Sequence, residues 1–353
     1  MSRFLPWTKE KANAWYSEKK WFIGCNYAPS TAVNQLEMWE KETFDPNTIE
    51  RELVWAEQLG FNSLRVFLHH LLWEHDAHGL KDRMDQFLRI AAAHNLGVIF
   101  VIFDGVWNPH PTVGHRQCLP GVHNSGWLQS PGAEILKDVQ RHHEVEAYVK
   151  GVISHFAKDT RIHCWDLFNE PDNVNPSSYM RFEPKNKADL SLELLKKTFT
   201  WARAVEPVQP LTAGVWIGEW CEQMLKPIDR FMLNESDIIT FHNYEGPAEM
   251  ERRIQILQRF QRPILCTEYM ARGLNSTFQS ILPILKKYNV GGYNWGFVAG
   301  KTQTMLPWDS WTTSYDGEPS LWFHDIFYKD GKPYREEEIK FILTFSETNS
   351  ARL

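Results

Sequence analysis

The sequence predicts a (β/α)8 barrel, and three observations carry that expectation. Eight short, apolar, β-rich segments recur along the 353 residues, and a stretch of helical periodicity follows each of them. The connections after the strand-like segments are long, whereas those before them are short. Length alone allows one large domain or two ordinary ones. No Gly-, Ser- or Pro-rich linker, low-complexity tract or repeat beyond the strand–helix unit divides the chain, so residues 1–353 are read as a single barrel domain. The alternative is an open, doubly wound sheet. It lacks support, because no Gly-rich phosphate turn follows any strand-like segment.

The strand-like segments are 21–27, 63–67, 98–103, 162–168, 211–215, 237–241, 263–268 and 291–297. Helical periodicity covers 46–59, 80–95, 144–158, 188–206, 219–233, 247–261, 277–288 and 333–345. Punctuation supports several of these. Asp45-Pro46 opens the first helix and Leu59-Gly60 closes it, while Glu206-Pro207 ends the fourth. The long connections, 28–45, 68–79, 104–143, 169–187 and 298–332, all follow strands. They crowd the C-terminal face, where a barrel keeps its chemistry, and predict a deep cleft there.

Composition narrows the function. The net charge is −6 with acids and bases mixed, so no basic face advertises nucleic acid. Met1 to Lys20 are polar without an apolar signal core, and no stretch approaches the roughly 18 apolar residues of a membrane span. The expectation is a soluble protein, cytoplasmic as the sequence stands, or secreted or periplasmic if a signal peptide was removed. Oligomeric state is not legible. Cys25, Cys164 and Cys266 lie in apolar runs and read as reduced core residues; Cys118 and Cys221 complete the five. The histidines His69, His70, His75 and His78 read as solvated or sugar-facing rather than metal-binding. The loop residues His110, His115, Cys118 and His123 match no compact zinc site. No metal and no organic cofactor is expected.

Two carboxylates stand out. Trp165-Asp-Leu-Phe-Asn-Glu-Pro171 and Leu265-Cys-Thr-Glu-Tyr269 each end an apolar segment on a glutamate, Glu170 and Glu268. Acids on separate strand tips are what cleavage of a glycosidic bond needs. Read blandly, Glu170 is a helix-capping acid, Glu268 a surface ion-pair partner, Arg65 a counter-ion and Trp295 core filling. Those readings leave the shared strand-tip placement as coincidence. Arg65 is positioned to keep Glu268 ionised, Tyr244 to donate its phenol to Glu268, and His242 to bond Glu170 or a sugar hydroxyl. Trp295 offers a flat platform for a sugar ring, and 16 tryptophans in the chain supply others. Trp107, Trp216, Trp220, Trp308 and Trp311 follow strands three, five and eight and so face the expected cleft. Asp166 takes no role in this reading.

Asn-Glu-Pro after the fourth strand, Thr-Glu-Tyr at the seventh, His-x-Tyr after the sixth, Arg in the second and Trp in the eighth form an ordered set. The set resembles clan A glycoside hydrolases, especially glycoside hydrolase family 5, across essentially the whole chain. The resemblance implies that Glu170 is the acid/base and Glu268 the nucleophile of a retaining β-glycosidase. It further implies that Asn169 bonds the sugar 2-hydroxyl and that Arg65, His242, Tyr244 and Trp295 line the site around the sugar being cleaved. The implied substrate is a β-linked oligo- or polysaccharide, with β-1,4-linked glucan or mannan fragments suggested by family association. One departure stands. Many members place a His near the end of strand three, where this chain has Phe103-Asp-Gly-Val-Trp107, so Asp104 and Trp107 are taken as substrate-binding in its stead. A carbohydrate-binding barrel without catalysis, a transglycosylase using the same two glutamates, and a metal-dependent barrel enzyme are the rivals.

Overall fold

The computed structural model describes residues 5–114 and 117–345. All eight expected strands are present: β1 (Ile23–Asn26), β2 (Ser63–Phe67), β3 (Gly97–Asp104), β4 (Ile162–Asn169), β5 (Leu211–Thr212), β6 (Ile239–His242), β7 (Ile264–Tyr269) and β8 (Gly291–Asn294). They run parallel in the order β5-β4-β3-β2-β1-β8-β7-β6. The ring closes between β5 and β6 through a Val215–Phe241 bridge, where Val215 N–H meets Thr240 O at 3.1 Å and His242 N–H meets Val215 O at 3.0 Å. A barrel therefore stands where an open sheet was the alternative.

Burial explains why these residues form strands. Every residue of β3, Gly-Val-Ile-Phe-Val-Ile-Phe-Asp, is buried, as expected of parallel strands covered on both faces. Outward-facing residues of the strands pack on the helices in one continuous core. A second cluster of Tyr16, Phe22, Ile99, Cys164, Ile238, Leu265 and Tyr293 fills the N-terminal end of the barrel. Tyr16 comes from a helix, Lys9–Ser17, that the polar N-terminal sequence did not announce. Thr8 caps it by accepting from Lys11 N–H.

The helices follow the periodicity with two adjustments, and one strand is shorter than expected. Connection 68–79 is helical, part of His70–Ala93, with a break at Asp76 (φ −156°) where two helical stretches meet. The segment expected over 219–233 is a 3-10 turn, Glu222–Met224, followed by a helix Pro227–Glu235 that starts on its proline. Strand five shrinks to two laddered residues, because only Trp165–Leu211 and Asp166–Thr212 pair with β4. Register shifts occur in the β6–β7 pair at Phe241/His242 and in the β7–β8 pair between Cys266 and Tyr269, beside the strand tips that carry His242 and Glu268. Such irregularities re-aim side chains at functional ends of sheets.

Candidate active site

Arg65 is the hub of the site. It is fully buried inside the barrel, and its fork reaches three other strands. Nε and Nη2 bond Asp166 Oδ2 at 3.0 and 2.8 Å, and Nη1 bonds Asn26 Oδ1 and Glu268 Oε1, both at 2.8 Å. Nη2 also donates to Asn169 Oδ1 at 2.7 Å. Asp166, given no role from sequence, is thus the counter-charge that lets a guanidinium sit in the barrel. Burial alone works against the cation, but Asp166 and Glu268 outweigh it and raise its pKa.

The two glutamates converge across the barrel. Glu170 and Glu268 are 8% and 5% exposed. One oxygen of each, together with a ring nitrogen of His242, all lie within 4.8 Å of one another. His242 Nδ1 stands 2.8 Å from Glu170 Oε1 and 3.5 Å from Glu268 Oε2. Tyr244 donates its hydroxyl to Glu268 Oε2 at 2.8 Å. Glu268 therefore has a guanidinium on one oxygen and a phenol on the other. Glu170 has only the amide of Asn173, which donates to Oε2 at 2.7 Å, and the imidazole.

This asymmetry decides where a proton resides. Burial pushes the Glu170 carboxyl up to about 7, against the pull of Asn173 and the more distant Arg65. Burial also raises Glu268, but His242, Arg65 and Tyr244 oppose it. With a guanidinium and a phenol bonded directly to Glu268, the charged form is favoured more at Glu268 than at Glu170. His242 is neutral, its pKa lowered to about 4 chiefly by burial, so it shares a hydrogen bond with Glu170 without adding a charge to the site.

Glu170 is held in a demanding conformation. Its φ is +41°, a region that costs a residue with a side chain of order 1–3 kcal/mol. Gly105, just after β3, lies against it, and a Cβ there would come 2.2 Å from the Glu170 carbonyl oxygen. Lys187, buried with Glu183, donates to the carbonyls of Gly105 (2.9 Å) and Asn173 (2.5 Å), and so fastens the turn after β4 to the turn after β3. Asn173, Lys187 and Glu183 carry no motif recognisable in sequence.

A cavity of about 300 Å³ opens over the acids. Its wall includes Asn169, Glu170, Tyr244, Glu268, Trp107, Trp216, Trp295 and Trp308, together with His123, Asn124 and Trp127 from the loop after β3. Trp295 is braced edge-on by Phe67 and Trp127, and Trp107 stacks on Trp311 at 5.1 Å. Trp216 is pinned by Asp172 through Nε1 at 2.6 Å. Trp220 departs from expectation: it is buried away from the cleft, against Phe241 and Arg253.

Asp104 requires a correction. It is not part of the wall of the cavity over the acids, being fully buried with both oxygens occupied. Oδ1 accepts from Asn169 Nδ2 (2.9 Å) and Val106 N–H (3.0 Å), while Oδ2 accepts from Trp127 Nε1 (2.6 Å) and Gln35 Nε2 (3.1 Å). An acid at that strand tip orients Asn169 instead. With Arg65 on its oxygen and Asp104 on one amide hydrogen, Asn169 keeps one N–H for a ligand.

The histidines also move. His69 and His70 are buried and brace the loop after β3, through Gln129 O at 2.9 Å and Ser130 Oγ at 3.0 Å. His75 and His78 are exposed. His115 lies outside the described residues. Among the described residues, the donor atoms that converge closely enough for a metal belong to Glu170, His242 and Glu268. Cys25, Cys164 and Cys266 are buried free thiols. No described helix is long and apolar enough to cross a membrane.

The barrel fold is shared with solved structures of glycosidases. Op5Man5, an exo-β-1,4-mannosidase from Opitutaceae bacterium strain TAV5, matches with TM-score 0.62 and 17% identity over 94% of this chain, which spans 60% of that one. A GH5_18 protein from Streptomyces cattleya, solved with GlcNAc, matches with TM-score 0.61 and 12% identity over 93% of this chain and 80% of its own. The endo-1,4-β-mannanase of Rhizomucor miehei matches with TM-score 0.61 and 12% identity over 94% and 95% of the two chains. No family model and no curated protein matches the sequence. At these identities the likeness establishes the fold.

Proposed function

We propose that the protein is a retaining β-glycosidase that removes a sugar from short β-1,4-linked, manno-configured oligosaccharides. The observation that carries this reading is the pairing of Glu170 and Glu268: oxygens within 4.8 Å, on different strands, with only one of the two in direct contact with a cation. Retaining enzymes hold their carboxyls about 5–5.5 Å apart and inverting ones about 6.5–9.5 Å apart, because inversion must fit a water between the base carboxylate and the sugar. The close approach favours retention.

In the first step the Glu268 carboxylate attacks the anomeric carbon while Glu170 gives its proton to the departing glycosidic oxygen. In the second, Glu170, now ionised, takes a proton from water. The resulting oxygen nucleophile displaces Glu268 from the sugar, and Glu170 regains its starting state. Asn169 bonds the 2-hydroxyl and Trp295 carries the ring. Manno-configuration is supported by the mannosidase and mannanases that share the fold. A small cavity walled by the loops after β3, β4 and β8 favours terminal sugars over the interior of a polymer.

The test is a panel of nitrophenyl β-glycosides and β-1,4-oligosaccharides assayed with the parent, Glu170→Gln and Glu268→Gln. Turnover by the parent with retained anomeric configuration, lost in Glu268→Gln, is the expected result. A parent that binds but turns over no β-linked sugar would be a carbohydrate-binding barrel. Sugar transfer dominating over hydrolysis with added acceptors would make it a transglycosylase.

A further inference from the structure

The geometry points to His123 and Asn124, on the long loop after β3, as the residues that read the hydroxyls of the sugar held against Trp295. This rests on the glycosidase reading above and deepens it. Both line the same cavity as Glu170, Glu268 and Trp295. Asn124 is 1% exposed, yet neither its amide nitrogen nor its amide oxygen has a hydrogen-bond partner. A buried amide with donor and acceptor both unmade is costly, and a cavity wall is where a ligand can meet that demand.

The amide is preset rather than loose. Asn124 N–H bonds Thr302 O at 2.8 Å, its carbonyl accepts Trp127 N–H at 3.1 Å, and its φ is +48°. His123 is fixed next to it. Its backbone N–H bonds Ser310 Oγ at 2.9 Å, and its Nδ1 stands 2.7 Å from Leu306 O. A carbonyl can only accept, so Nδ1 carries the hydrogen and Nε2 is left as an acceptor. Burial lowers this imidazole to about 4, so it remains neutral in working conditions.

Together the two side chains offer one amide donor face, one amide acceptor and one imidazole acceptor. That set complements sugar hydroxyls, each of which both gives and receives. The strand-tip acid Asp104 cannot supply such recognition, because its oxygens are consumed inside the protein. Its bond to Trp127 Nε1 instead anchors the loop that presents the pair. Hydroxyl recognition has moved from the strand to the loop.

The experiment compares kcat/KM of the parent, Asn124→Ala, Asn124→Asp and His123→Phe on nitrophenyl β-glycosides and their singly deoxygenated analogues, with melting temperature measured alongside. Asn124→Ala should lower kcat/KM on the preferred sugar by roughly 10- to 100-fold. The same change should cost much less on the one analogue that lacks the hydroxyl it reads. Asn124→Asp keeps an acceptor and fills nearly the same volume, so it guards against a folding defect in the other variants. Equal losses across all analogues, or a fall in melting temperature with selectivity unchanged, would overturn the assignment while leaving the glycosidase reading intact. A parent inactive on every β-glycoside would remove both.

Discussion

Arg65 Nη1 lies 2.8 Å from Glu268 Oε1, whereas no arginine or lysine bonds Glu170 among the described residues. A single guanidinium thereby favours the charged form of one of two buried glutamates over the other. Replacing Arg65 by Met leaves Asp166 and Glu268 buried without their cation. Loss of one partner from a buried ion pair typically costs about 3–5 kcal/mol, so a large fall in melting temperature and near-complete loss of turnover are expected. Arg65→Lys should restore folding in part but not activity, since one ammonium cannot reproduce the fork.

The glutamates themselves should fail differently. On the proposed mechanism, Glu268→Gln removes the nucleophile and should abolish turnover on every substrate. Glu170→Gln removes acid assistance, a contribution of about 10²–10⁴-fold. That penalty should be largest on oligosaccharides and smallest on aryl glycosides, whose leaving groups depart without a proton. Comparing kcat for the two substrate types in each variant checks this.

The pH profile follows from the direction of the shift. Glu170 must be protonated to act as acid, and burial places its carboxyl at about 7. Activity should therefore fall on the alkaline side as pH rises through about 7. Stability runs the same way. A carboxyl raised in the folded state contributes stability below its unfolded value, near 4.5, and loses it as pH rises through about 7. Glu170→Gln should accordingly gain melting temperature over the parent at pH 8 and show a smaller difference at pH 5.

Asn173 tunes that limb. Its amide donates to Glu170 Oε2 at 2.7 Å and favours the ionised form. Asn173→Ala should move the alkaline limb of kcat/KM to higher pH and lower kcat, while Asn173→Leu, equally unable to donate, should move it likewise. An unchanged limb in both would mean the bond does not act on the acid.

Gly105→Ala tests the fit of the two turns. A methyl group 2.2 Å from the Glu170 carbonyl oxygen cannot be accommodated without displacing the acid. A loss of about 1–3 kcal/mol in stability and a fall in kcat are expected, measured by denaturant unfolding and by turnover.

Much of the barrel was legible because its strands are buried on both faces, which writes continuous apolar runs such as the one in β3. Glu170, Glu268, His242 and Tyr244 were legible because each sits at or just past a strand tip beside a recognisable neighbour, and Arg65 because it is the one charged residue within β2. Residues acting through others left no such mark. Asp166 reads as an isolated acid until Arg65 is seen against it, and Asn173 becomes visible only once the chain has turned at Glu170. Asp104 was misread because strand-tip position gives direction but not depth, and the loop carrying Trp127 and Gln129 closes over it. The helix Lys9–Ser17 was missed for the opposite reason: its buried face is only Ala12 and Tyr16, too narrow for a periodic signal.

The seam between β5 and β6 is stitched by one bridge and a two-residue strand, whereas β2 and β3 are laddered over five residue pairs. Deuterium should enter the amides near residues 211–215 sooner than those of β3. The same seam borders His242, the imidazole within 3.5 Å of both glutamates, so the barrel has its fewest cross-strand bonds beside that pair. On the proposed glycosidase reading, opening along this margin would let the cleft yield as a sugar leaves while the side chains tied by Arg65 stay in place.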